Sequence, residues 1–94
     1  VEKAGAFAIV VEGVMSNVAE KITEAVNIPI IGIGAGNVTD GQVLVWSDML
    51  GFFEEFKPKF VRHYLNGAEL VKEAVNSYRD DVQTQNFPSK EEEY

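Results

Sequence analysis

The chain has 94 residues, 46% of them hydrophobic, no cysteine and a formal net charge of −7. That length allows one domain or a piece of one, and the missing cysteines exclude a disulfide staple and any thiolate metal site. The acidic balance argues against a nucleic-acid binder, which needs a cationic face to neutralise phosphates. No apolar run approaches the roughly 18 residues of a membrane span.

In chain order, Val1-Glu2-Lys3-Ala4-Gly5 reads as the last turn of a helix closed by glycine. A chain that opens there is expected to be the C-terminal section of a longer one. Ala6 to Val11 is a continuous apolar run, the pattern of a parallel strand covered on both faces. Ser16 or Asn17 then offers an N-cap. Val18, Ile22, Ala25 and Val26 follow at helical spacing, and Asn27 and Pro29 end that helix. Ile28 to Ile33 is a second strand of the buried type, closing in Gly32, Gly34 and Gly36. After a polar loop, Gln42 to Trp46 is a third strand. Strand, helix, strand, loop, strand is the rhythm of an α/β protein with a parallel sheet.

The second half reads as helical. Phe52, Phe53, Phe56, Phe60 and Tyr64 form an aromatic series interrupted by Pro58, and Asn66-Gly67 breaks it. Val71, Val75, Tyr78 and Val82 mark one face of a helix from about Ala68 to Gln83. Phe87-Pro88 stops it before a solvated acidic tail. Burying a Phe is worth about 1.5–3 kcal/mol. Six Phe and three Tyr exceed what three strands can cover, so these segments are expected to pack on something outside the chain.

Glu12 is the most informative single residue. It ends an otherwise apolar strand and, by alternation, shares a face with Ala6, Ala8 and Val10. Ligands of α/β barrels and open sheets bind at the C-terminal ends of strands, and a carboxylate there suits a general base or acid. The bland alternative is a solvated or lysine-paired Glu. Gly32-Ile33-Gly34-Ala35-Gly36 lacks the G-x-G-x-x-G spacing of a dinucleotide site, so its glycines read as places of close backbone approach. Asp40 reads as a turn residue and Asp48 as an N-cap; neither has a second ligand at short spacing. His63, the only histidine, lies in a segment read as helical. Lys57, Lys59 and Arg62 form a small basic cluster that could meet the anionic tail of a ligand or an acidic subunit surface, with a solvated face as the default.

The run Ile28-Pro29-Ile30-Ile31-Gly32-Ile33-Gly34-Ala35-Gly36, followed by Asp40-Gly41-Gln42-Val43-Leu44-Val45, closely resembles the ketopantoate hydroxymethyltransferase family. Ala4-Gly5-Ala6, Val11-Glu12, Ile22-Thr23-Glu24-Ala25, Asp48, Gly51, Pro58-Lys59-Phe60 and Phe87-Pro88 agree in order, so the resemblance covers nearly the whole chain.

The resemblance implies a (β/α)8 TIM barrel. Residues 1–94 would be its C-terminal segment: about strands six to eight in residues 1–50, then terminal helices and tail in 51–94. It implies transfer of a hydroxymethyl unit from 5,10-methylenetetrahydrofolate to 3-methyl-2-oxobutanoate, in pantothenate and coenzyme A biosynthesis. A Mg2+ ion would chelate the 2-oxo acid, held by carboxylates upstream of this segment. Glu12 matches the family's proton acceptor. Ile33, Val43 and Val45 match the apolar wall around the substrate's branched end. The expected setting is cytoplasmic, with no nucleic acid or membrane partner, in a homo-oligomer of decameric form. The missing N-terminal part of the barrel is the necessary partner, and the segment alone is expected to be inactive. Two departures are Met15, where the family usually has Pro, and Glu92-Glu93, where relatives often carry His. The alternatives are another 2-oxo-acid barrel of the phosphoenolpyruvate mutase/isocitrate lyase type, and a non-catalytic oligomerisation module.

Overall fold

A computed structural model describes residues 1–94. A 3-10 turn, Glu2–Ala4, ends at Gly5 with φ 104° and is tied down where the Asn27 N–H donates to Glu2 Oε1 at 3.1 Å. The regular elements are β1 (Ile9–Glu12), α1 (Ser16–Ala25), β2 (Ile30–Ile33), β3 (Gly41–Gln42), α2 (Trp46–Met49) and α3 (Gly67–Gln83). A 3-10 turn at Lys90–Glu92 closes the chain. The three strands form one parallel sheet in the order β1-β2-β3.

Strand β1 is shorter at its start than the apolar run. Its ladder begins where the Ile9 N–H donates to the Pro29 carbonyl at 2.9 Å. Before Pro29 the neighbouring chain is still leaving α1, so Ala6 to Ala8 have nothing to pair with. At its other end β1 runs to Glu12, in register with Ile33, and the Gly13 N–H still donates to the Ile33 carbonyl at 2.9 Å.

Helix α1 is capped by Met15, not by Ser16 or Asn17. Ser16 is already the first helical residue, so its side chain stands one position too late to cap, and no side-chain hydrogen bond closes the N-terminus. The core lies between α1 and the sheet. Val11, Ala19, Ile30 and Ala35 are buried there, with Ile9, Val14, Ile22 and Val26 packed around them. Only 9 of 94 residues are buried.

The third strand is far shorter than Gln42–Trp46. Its pairing covers Gly41 and Gln42, and the last bond is from the Val43 N–H to the Gly32 carbonyl at 3.0 Å. Beyond Ile33 the partner strand turns away at Gly34, φ 64°, leaving Leu44 to Trp46 without a ladder. Val45 instead caps α2, and Asp48 sits in its first turn rather than at its N-cap.

Residues 51–66 contain no helix, so the helical reading of the aromatic series does not hold and His63 lies in irregular chain. Pro58 removes a backbone donor and disfavours helical geometry at Lys57. The segment is a closed loop. It leaves α2 at Gly51 and returns through bonds from the Tyr64 N–H to the Met49 carbonyl (2.7 Å), Gly67 to Leu50 (2.8 Å) and Ala68 to Gly51 (3.1 Å).

Helix α3 agrees with its expected span within one residue. It is tied to the loop by Lys72 and Glu54, 2.8 Å apart, and the Glu54 hydrogen bond followed by its charge raises the Lys72 pKa above the usual 10.5. Its apolar side, Val71, Val75, Tyr78 and Val82, is exposed. The radius of gyration is 21.7 Å, against about 12 Å for a compact chain of this length. The apolar surplus expected from composition is therefore left uncovered by the chain itself. No helix is long and apolar enough to cross a membrane.

Candidate active site

Two faces of the sheet differ. Val11 packs into the core beneath α1, so its neighbours Val10 and Glu12 project to the opposite face. Cα partners in a parallel ladder project to the same side, which places Ile31 beside Val10 and Ile33 beside Glu12. Glu12 thus ends β1 on the face that α1 does not cover, with a branched apolar side chain next to it. Gly13, φ 63°, turns the chain immediately afterwards. Glu12 is exposed, and neither of the two ion pairs involves it. The apolar neighbour that the register gives this carboxylate is Ile33.

The glycine run works as close-approach points, as its spacing suggested. A Cβ at Gly32 would stand 2.8 Å from Thr39 Oγ1, and one at Gly34 would stand 2.6 Å from the Phe60 ring. The run therefore receives the following loop at Gly32, the aromatic segment at Gly34 and α1 at Gly36. Sequence reasoning gave these contacts no partners, because all three come from separate parts of the chain.

The loop after β2 is internally bonded. Thr39 Oγ1 donates to the Gly41 carbonyl (2.9 Å), and Gln42 Nε2 donates to the Gly36 carbonyl (2.7 Å) and to Thr39 Oγ1 (3.1 Å). Asp40 is a turn residue that also reaches the sheet, where its Oδ2 accepts the Ile30 N–H at 2.8 Å. Ile30 is fully buried, so Asp40→Ala leaves a buried donor unpaired. Its expected cost is about 1–3 kcal/mol, read as a lower thermal midpoint of the complete protein, with Asp40→Asn losing less.

Phe60, packed on Gly34, forms one wall of an open cavity of about 610 Å3 at the C-terminal ends of β2 and β3. Ile33 and Val43 line it together, joined by Asn37, Phe60, Arg62 and Tyr64. Val45 is not among its lining residues; it caps α2 and is half-exposed. Phe60, Arg62 and Tyr64 were not singled out from sequence as cavity residues. The Pro58-Lys59-Phe60 motif marks their segment, but its helical reading concealed that the loop folds back onto the strand ends.

No group of three or more His, Asp or Glu side chains converges to hold a metal ion. No chemical step is derived through the Mg2+ ion that the resemblance implies.

The parallel strands, with a carboxylate and an apolar cavity at their C-terminal ends, define a segment of an α/β protein of the kind whose sites lie at strand ends. Residues 1–90 match the family model described as ketopantoate hydroxymethyltransferase, and the chain belongs to that family. It is 86% identical over 94 residues to the 3-methyl-2-oxobutanoate hydroxymethyltransferase of Aliarcobacter butzleri (strain RM4018), covering 100% of this chain and 35% of that relative. It is 66% identical over 93 residues to the protein of the same description from a Nitratiruptor species, covering 99% of this chain and 36% of the relative. A Helicobacter pylori (strain Shi470) relative so described is 58% identical over 93 residues, covering 99% of this chain and 34% of the relative. The chain spans about a third of the length of these curated relatives.

Proposed function

We propose that this chain is the C-terminal part of a (β/α)8 barrel that moves a hydroxymethyl unit from 5,10-methylenetetrahydrofolate to 3-methyl-2-oxobutanoate. The observation that carries the reading is the placement of Glu12: at the end of a parallel strand, beside Ile33, on the sheet face that α1 leaves open. In this reading the rest of the barrel encloses that face. Glu12 accepts the C3 proton of the 2-oxo acid, and the electron pair left at C3 forms a bond to the folate's methylene carbon; both carbon–nitrogen bonds of that carbon break, water supplies the hydroxyl oxygen, and the two protons released end on N5 and N10 of tetrahydrofolate. Ile33 and Val43 hold the branched end of the acid, with Val45 at the rim. The Mg2+ ligands belong to segments outside residues 1–94, and the segment by itself is inactive.

The exposed apolar side of α3 supports a subunit contact in a homo-oligomer, which we place as a decamer in the cytoplasm. The test of function is donor dependence. The complete enzyme carrying this segment is expected to consume 3-methyl-2-oxobutanoate only when the folate donor is present. Folate-independent turnover of a 2-oxo acid would instead assign it to the phosphoenolpyruvate mutase/isocitrate lyase type, and no turnover of either kind would leave an assembly module.

A further inference from the structure

Arg62 stands apart from the other charges of the chain. It lies in the wall of the cavity, and no carboxylate is paired with it: the two ion pairs are Lys72 with Glu54 and Arg79 with Asp80. Its side-chain partner within the chain is Tyr64. Nη1 donates to the Tyr64 hydroxyl at 3.3 Å, and the guanidinium carbon lies 5.9 Å from the Tyr64 ring centroid. No acidic side chain lines the cavity, so nothing there neutralises the charge. A guanidinium presents five N–H donors in a planar fork suited to a carboxylate, and most of them are free here.

The rest of the cavity defines what would bring that carboxylate. At about 610 Å3 it falls within the roughly 300–1,000 Å3 that drug-sized ligands occupy, more than a small branched 2-oxo acid needs. Phe60 and Tyr64 place two aromatic rings on the wall that carries Arg62, and Ile33, Val43, Leu44 and Met49 add aliphatic surface. A ligand with an aromatic body and an anionic end matches both features. The 2-oxo acid has no aromatic body, whereas the folate donor has an aryl group followed by a glutamate tail.

We infer that Arg62, with Tyr64 beside it, anchors the glutamate carboxylates of the folate donor at the Phe60–Tyr64 wall of this cavity. The inference rests on the folate-dependent reading above and names the specificity residue for that co-substrate. Lys57 takes no part, since it faces a separate cavity with Glu54, His63 and Glu69.

The test compares two donors on the complete enzyme: 5,10-methylenetetrahydrofolate, and 5,10-methylenetetrahydropteroate, which lacks the glutamate. Arg62 is exposed, so its substitution is compatible with folding. In Arg62→Ala the KM for the folate donor is expected to rise about tenfold or more, the loss of a charge-assisted hydrogen bond. The KM for the glutamate-free donor and for the 2-oxo acid stay where they were, and Arg62→Lys recovers part of the loss. An equal rise for both donors, or no rise for either, overturns the inference. A rise in the 2-oxo-acid KM instead reassigns Arg62 to that substrate's carboxylate and overturns it equally. A wild-type enzyme that ignores folate defeats the functional reading and this inference together; a folate-dependent enzyme indifferent to Arg62→Ala defeats this inference alone.

Discussion

Glu12→Gln in the complete enzyme is expected to lower kcat by about 10²–10⁴-fold, the usual weight of a general base. Glutamine keeps the shape of the side chain and its capacity to accept a hydrogen bond, but it takes no proton at neutral pH. Glu12 is exposed at a strand end and makes no ion pair within the chain, so the substitution removes chemistry without removing a structural contact. The fold and the binding of Mg2+ are therefore expected to persist. Steady-state turnover gives one reading. The second is exchange of the C3 proton of 3-methyl-2-oxobutanoate with D2O, followed by NMR without the folate donor. Exchange tests the proton transfer by itself, apart from attack on the one-carbon unit. Near-normal turnover with near-normal exchange would show that another group takes the proton.

Gly51→Ala should be among the most damaging substitutions for stability, at about 2–5 kcal/mol. Gly51 is buried and has φ +73°, where a side chain costs about 1–2 kcal/mol. A Cβ there would also strike the Leu65 carbonyl and lie 3.3 Å from the Gly67 nitrogen. Those neighbours are backbone atoms locked into the neck of the 51–66 loop, so the overpacking adds about 1–3 kcal/mol. The neck is where the loop that seats Phe60 on Gly34 returns to α3. Opening it loosens one wall of the cavity as well as the start of α3. Thermal unfolding of the complete protein and limited proteolysis within residues 51–66 report the two effects. An unchanged thermal midpoint with an intact loop would mean that the neck is not closed in this way. Gly67 supplies a control: alanine favours helix interiors, yet a Cβ at Gly67 would meet the Leu50 carbonyl, so Gly67→Ala is expected to destabilise.

The α/β rhythm, the span of α3 and the standing of Glu12 at a strand end were legible because each rests on local periodicity. Ile9 to Val11 and Ile30 to Ile33 are rich in branched residues with a helix-period segment between them, and short-range sterics suffice to make them strand, helix and strand. The failures share a cause. Ala6 to Ala8 and Leu44 to Trp46 have strand composition but no partner at the same height, because Pro29 and Gly34 set where β2 begins and ends. Ser16 has the chemistry of a cap, but the helix begins one residue earlier than that role requires, with Met15 at the cap. Phe52 to Tyr64 have helix-compatible spacing that Pro58 and the backbone bonds at Met49 to Gly51 override.

The cavity divides the same way. Ile33 and Val43 were named through the family resemblance and Arg62 as one of a basic cluster, whereas Phe60 and Tyr64 were not named as cavity residues, since they reach the strand ends through a loop closed by backbone hydrogen bonds. The length, the acidic charge and the uncovered aromatic surplus were determined by the amino-acid sequence alone, as were the family motifs and the carboxylate at the end of β1. Only the tertiary structure decided which faces those residues share. Periodicity specifies the direction of a side chain relative to its own backbone. Which surface lies opposite depends on register and on chain returning from far along the sequence.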